Sequence, residues 1–261
     1  MNESRFIASY ARQGSAKNAL DNINWLPLVK TKELAELVGY VFADGSVEHS
    51  YDKIKIRPKG ADFISDSSVL RNRVRFLFNT VFNVEPKDHL FRNTKGLRLR
   101  NAAAARALWL LGIPMGRKVS QYYNVPGWIK IANKEIKSAF IKAYFDCDAS
   151  KPYKLFKKKA TFGIRLTVNK EEEKVSNGLV FLNAIKEMLQ EFEVVCNGPY
   201  VRKSKIYINK KGVKTIMLEL LVQRQQAFLN YFKHIGFTEP SKKEKIKEYA
   251  KVIISNTNYR L

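Results

Sequence analysis

Cysteine, histidine and long apolar runs are all scarce in this chain, and each scarcity closes a route. Two cysteines, Cys147 and Cys196, in 261 residues are too few for a disulfide framework or a cysteine-based zinc cluster. Three scattered histidines, His49, His89 and His234, suggest no imidazole metal centre, so any metal must be held by oxygen. The longest apolar stretch, around Ala107 to Met115, is too short to span a bilayer. The opening Met1-Asn2-Glu3-Ser4-Arg5 lacks the apolar core of a signal peptide, and an intracellular protein is expected. Acid is scarce as well, with 24 Asp and Glu against 47 Lys and Arg and a formal charge of +23. Such an excess repels itself in the folded state and calls for a polyanion, nucleic acid first. No basic amphipathic helix and no lipidation signal supports a membrane partner.

What is present is enough for a core: 45% of the residues are hydrophobic, and the length suits one large domain or two ordinary ones. The charge is spread, with 21 basic and 11 acidic residues up to Lys130 and 26 and 13 beyond it. An internal repeat organises the rest. Glu33 to Gly45 (ELAELVGYVFADG) returns at an offset of 104 as Lys137 to Ala149 (KSAFIKAYFDCDA). Both copies are apolar enough for a buried helix, and both space small residues four apart: Ala35, Gly39 and Ala43 in one, Ala139, Ala143 and Cys147 in the other. Four apart is one helix face, and a face of small side chains admits close backbone approach. The natural partner of each helix is the other copy. Packed in parallel, the two would bring Asp44 and Asp148 out at one end, where two carboxylates repel unless a divalent cation intervenes.

A second echo follows: Leu111-Gly112-Ile113-Pro114 before Arg117-Lys118, and Ile235-Gly236-Phe237 before Lys242-Lys243, at an offset of 124 at the glycine. The later half thus carries about 20 extra residues, by subtraction of the two offsets, placed here in the basic stretch Lys151 to Ala160 as a hairpin. Between landmarks the pattern reads strand, helix, strand in both halves. Lys53 to Arg57, Leu97 to Arg100 and Ile164 to Val168 alternate, Val69 to Phe82 and Leu179 to Phe192 have helical period, and Tyr200 to Ile208 with Thr215 to Val222 form a strand pair. Val119 to Asn133 reads as a linker around Pro126-Gly127, and Lys243 to Ile254 as a closing helix.

These residues resemble the LAGLIDADG homing endonucleases, in the form that joins two motif-bearing halves in one chain. Leu37 to Gly45 (LVGYVFADG) is similar to the first motif and Ile141 to Ala149 (IKAYFDCDA) to the second, with the likeness running from about Thr31 onward. The resemblance implies an α+β fold of two αββαββα halves related by a pseudo-twofold axis, motif helices packed at the centre and two antiparallel sheets forming a DNA-binding saddle. Residues 31–130 would be the first half and 131–261 the second, with 1–30 an extension of no assigned role. It further implies a metal-dependent endonuclease, active as a monomer, that makes a double-strand break in a long duplex DNA target during intron or intein homing. Asp44 and Asp148, helped by the carbonyls of Ala43 and Cys147, would hold Mg2+ or Mn2+. Lys118 and Lys242 or Lys243 would stand near the scissile phosphate. Two positions depart from the motif: Phe42 replaces its usual first acid, and Ala149 replaces the last glycine of the second copy, where a distorted turn is expected.

Each signal has a plainer reading. A single aspartate at a helix end is usually only that, but the position faces the negative end of the dipole, and its repetition favours metal-assisted hydrolysis. Alternating cations are usually a solvated strand face, yet strands of both halves share the pattern, and a two-stranded ribbon fits the major groove. The candidate DNA contacts are Lys53, Lys55, Arg57, Arg98, Arg100, Arg165, Arg202 and Lys205. Tyr40, Tyr144, Trp109 and Trp128 are read as core. The alternatives are an RNA maturase, which would use the same scaffold on intron RNA, and a DNA-binding protein without cleavage.

Overall fold

The computed structural model describes residues 1–51, 56–155, 161–208 and 212–257, without the side chains of Tyr51, Ile56, Lys203, Lys205 and Thr257. Lys53 and Lys55 lie outside the described residues, as does the Lys205 side chain. The chain divides into two units, Met1–Gly116 and Arg117–Leu261.

In the first unit α1 (Glu3–Ala8) and α2 (Gln13–Asp21) precede the motif helix α3 (Lys32–Asp44). The Thr31 hydroxyl accepts from the Leu34 amide at 3.2 Å and so caps α3. Then come β1 (Gly45–Tyr51), β2 (Ile56–Ile64), α4 (Ser68–Phe82), β3 (Lys87–Phe91), β4 (Thr94–Leu99) and α5 (Ala102–Leu110). The strands form one antiparallel sheet in the order β1-β2-β4-β3. Alternation decides its faces: Ala61, Phe63, Leu97 and Leu99 are buried toward the helices, and the edge of the Tyr40 ring meets Phe63 at 5.8 Å. The extension 1–30 packs on this unit. Phe6 is wholly buried against Trp25, which in turn meets Phe82 at 5.1 Å.

The second unit repeats the order. The α7 motif helix (Lys134–Asp148) follows α6 (Gly127–Lys130) and leads to β5 (Tyr153–Lys154), β6 (Phe162–Glu171), α8 (Val175–Gln190), β7 (Asn197–Ile208), β8 (Lys214–Val222), α9 (Gln225–His234) and a closing helix α10 (Pro240–Thr257). The sheet order β5-β6-β8-β7 copies that of the first unit. The expected αββαββα order is therefore present in both. The landmark glycines are helix terminators: Gly112 (φ 104) ends α5 and Gly236 (φ 68) ends α9, both in the left-handed region that glycine enters without penalty.

Three expectations need correction. Most of the additional length in the later half lies in the β7–β8 hairpin, which spans 197–222 where its counterpart spans 87–99. In the stretch 151–160, β5 pairs antiparallel with the start of β6, and 156–160 lie outside the described residues. The linker is no free tether either, because Lys170, wholly buried on β6, donates to the carbonyls of Lys118 and Gln121 and sits 3.5 Å from the Tyr123 ring. That packing draws 117–133 into the second unit. Trp109 and Trp128 are only half-buried, whereas Tyr40 and Tyr144 are core.

Candidate nucleic-acid interface and motif-helix ends

Both motif helices end on their aspartate. Asp44 is the last residue of α3 and Asp148 of α7, and each is half-buried. After Asp44 the chain passes directly into β1, so tightly that a methyl group on Gly45 would lie 2.6 Å from the Val41 Cα and 2.8 Å from the Asp62 carbonyl. After Asp148 the corresponding Ala149 is extended (φ −85, ψ 153), close to Gly45 (φ −101, ψ 177). The turn after Asp148 is thus not distorted by the alanine.

A helix C-terminus leaves carbonyl oxygens without intrahelical partners, and in α7 a cation meets them. The Lys242 ammonium donates to the carbonyls of Phe145, Asp146 and Ala149 at 3.1, 2.6 and 2.6 Å. From the other side, buried Asp146 accepts from the amides of Thr238 and Glu239 at 2.9 and 3.0 Å, just ahead of α10. α7 and the start of α10 are therefore latched twice. At the position of Asp146 the first unit has Phe42, also buried. Burial, with the Asp148 charge adding to it, pushes the Tyr123 phenol above its ordinary range, so it stays protonated. Lys243 is exposed on α10, and Lys118 opens a short 3-10 turn in the second unit.

The donor set at each helix end is carboxylate and main-chain oxygen, which suits a hard divalent cation. Asp44 with the Ala43 carbonyl, and Asp148 with that of Cys147, are the groups that would hold it. Among the described residues no group of three or more His, Cys, Asp or Glu side chains is arranged as a metal site, so each helix end supplies one carboxylate.

The outer faces of the sheets carry the basic residues. In the first unit Ser46, Asp62, Arg98 and Lys87 are opposite neighbours in one row across all four strands. Arg98 donates from Nε and Nη2 to the two Asp62 oxygens at 2.9 and 3.1 Å, and its Nη2 is 3.2 Å from Glu48. Arg100 reaches Glu48 at 3.2 Å, and Arg57 is exposed on β2. In the second unit Arg202 donates to buried Glu219, while Arg165 Nε stays 3.6 Å from the same carboxylate, within ion-pair reach but short of a hydrogen bond. Donating to these carboxylates pushes Arg98 and Arg202 above the usual arginine range. The partner acids Asp62, Glu48 and Glu219 escaped the sequence reading. Their signal was there: single acids within otherwise basic or apolar alternation.

No family model matches the chain. Among curated proteins it is 30% identical over 213 residues to the replication factor C small subunit of Methanocaldococcus jannaschii, covering 78% of this chain and 11% of that protein. It is 28% identical over 229 residues to the tRNA-splicing ligase RtcB of the same organism, covering 82% and 22%. The chain thus spans less than a quarter of these relatives. Among solved structures a single-substitution mutant of I-SmaMI matches with a TM-score of 0.50 at 13% identity, covering 86% of this chain and 92% of that one. The likeness is one of fold. The homing endonuclease I-WcaI bound to its DNA recognition sequence is similar at a TM-score of 0.49 and 13% identity, over 94% and 97%. Among the described residues no helix is long and apolar enough to cross a membrane.

Proposed function

We propose that this protein is a site-specific, divalent-metal-dependent endonuclease of double-stranded DNA. The observation that carries the reading is the repeated construction: in each unit an aspartate closes the motif helix, and a sheet bearing arginines on its outer face follows. The arginines of both sheets are assigned to the duplex, some to phosphates and some to base edges. Asp44 and Asp148 are assigned to Mg2+ or Mn2+, which when bound would supply an activated water and stabilise the attacking and leaving oxygens at the scissile phosphate. Lys242 holds the end of α7 in place through its carbonyls, and with it the position of Asp148.

The relatives support a mobile origin. The matched segment fills 11% of one protein and 22% of another with an unrelated name. Intein or intron homing fits such a segment. The test is incubation with duplex DNA spanning the uninterrupted host gene, first with magnesium and then with EDTA, followed by mapping of the ends. A defined cut that EDTA abolishes supports the reading. Tight, salt-dependent binding without a cut leaves a DNA-binding protein, and selective binding of folded intron RNA makes the protein a maturase.

A further inference from the structure

We propose that the buried carboxylates Asp62 and Glu219 are specificity-determining positioning residues, each fixing arginines on its sheet so that they address base edges instead of swinging to the nearest phosphate. The inference rests on the DNA-binding reading and adds a division of labour to it.

An acid on a surface that meets a polyanion works against affinity. Yet Asp62 is 7% exposed and Glu219 2%, so both charges are buried beneath that surface and compensated by arginine. Ion pairs of this kind add little stability over apolar packing, and their better-attested use is to fix geometry. The geometry is well fixed. Arg98 is held by two bonds to Asp62, approached by Glu48, and laid over the Phe91 ring at 4.8 Å. In the second unit Glu219 binds Arg202 and neighbours Arg165, and Arg165 lies over the Tyr153 ring at 5.3 Å. An acid, an arginine and an aromatic face thus recur.

The acids of the two assemblies stand at non-equivalent positions of the repeat. Gly45 pairs with Phe63 in one unit, and the corresponding Ala149 pairs with Leu166 in the other. Asp62 and Arg165, each one residue earlier, therefore occupy equivalent positions with opposite charge. The acid stands on β2 in the first unit and on β8 in the second. A buried acid beneath arginine is thus placed on a different strand in each unit, which points to a requirement of the face. A planar guanidinium fork discriminates between bases only while its orientation is held.

The experiment is selection from a randomised duplex library with the intact protein, wild type beside Asp62→Asn, Glu219→Gln and Arg98→Lys. Wild type is expected to enrich a defined sequence. Asp62→Asn and Glu219→Gln should bind at least as tightly, with a log-log salt slope steeper by about 0.9 for each arginine released to a phosphate. Their discrimination should fall roughly tenfold at one or two base pairs and hold elsewhere. Arg98→Lys keeps the charge but not the fork, and should lose the same base preference with the slope unchanged. It also serves if an acid variant fails to fold. Enrichment of one and the same sequence by all four proteins, with equal slopes, overturns the proposal and leaves DNA binding intact. Wild type enriching nothing overturns the DNA reading, and this inference with it.

Discussion

In the first unit the motif helix runs straight into a seven-residue strand, whereas in the second it meets a two-residue strand and a closing helix. The same sheet order is thus finished in two ways, and the motif residues follow the finish. Gly45 is required because β1 and β2 press against the end of α3, where a methyl group has no space. Ala149 sits buried on a similar extended backbone, bridged to Leu166 and with its carbonyl bound by Lys242. Phe42 fills core, and Asp146, at the equivalent position, instead accepts from the Thr238 and Glu239 amides of the chain that leads into α10. A departure from a motif is read correctly only against its own unit.

The largest effect should come where the two units are alike. On the proposed function, Asp44→Asn and Asp148→Asn should each lower cleavage by orders of magnitude while duplex affinity survives, since a ligand of the proposed cation would be lost and the arginines remain. Gel shifts in calcium beside cleavage assays in magnesium measure both, and wild-type cutting by either variant would remove that acid from the chemistry. Exchange of the differing residues should come next. Phe42→Asp places an unpartnered charge in the core and should cost roughly 4 kcal/mol in denaturant unfolding. Asp146→Ala leaves the Thr238 and Glu239 amides without their buried acceptor and should cost roughly 2 kcal/mol. Equal losses would mean that the contrast between the two positions is unimportant.

The helix-to-strand turn offers a smaller contrast. Gly45→Ala should destabilise by about 2 kcal/mol through overpacking, whereas Ala149→Gly should cost under about 1 kcal/mol through chain entropy. A benign Gly45→Ala would show that β1 gives way easily. The last concerns Lys170, which ties the linker into the second unit. Burial lowers its pKa to about 8 from 10.5. Between these values the unfolded chain binds more protons, so this group raises stability with pH there, and the gain is lost as pH falls through 8. In Lys170→Met that component should vanish, leaving a flatter rise across the window. Parallel curves would place the ammonium in water.

Much of this was legible in the chain. The repeat, the two motif helices, the strands and the closing helix are carried by apolar spacing, caps and glycine terminators, all of them local. The partners were not. Arg98 meets Asp62 across 36 residues, and Lys242 reaches α7 across more than 90. Nothing in the spacing says which carboxylate will lie opposite a given arginine, because strand register decides it. The packing of the linker is hidden for the same reason: Pro126-Gly127 looks like a tether until Lys170 is seen to bind the segment before it.

The sequence by itself determined the elements, their order and the recurrence of an aspartate at the end of each motif helix, since helical and strand periods need only neighbours a few residues away. Only the tertiary structure decided that the extra length extends the β7–β8 hairpin, that Lys242 closes the end of α7, and that Asp62 and Glu219 hold the arginines of the outer faces. These depend on groups far apart in the chain coming within hydrogen-bonding distance, and in burial each of those charges and carbonyls has to find a partner.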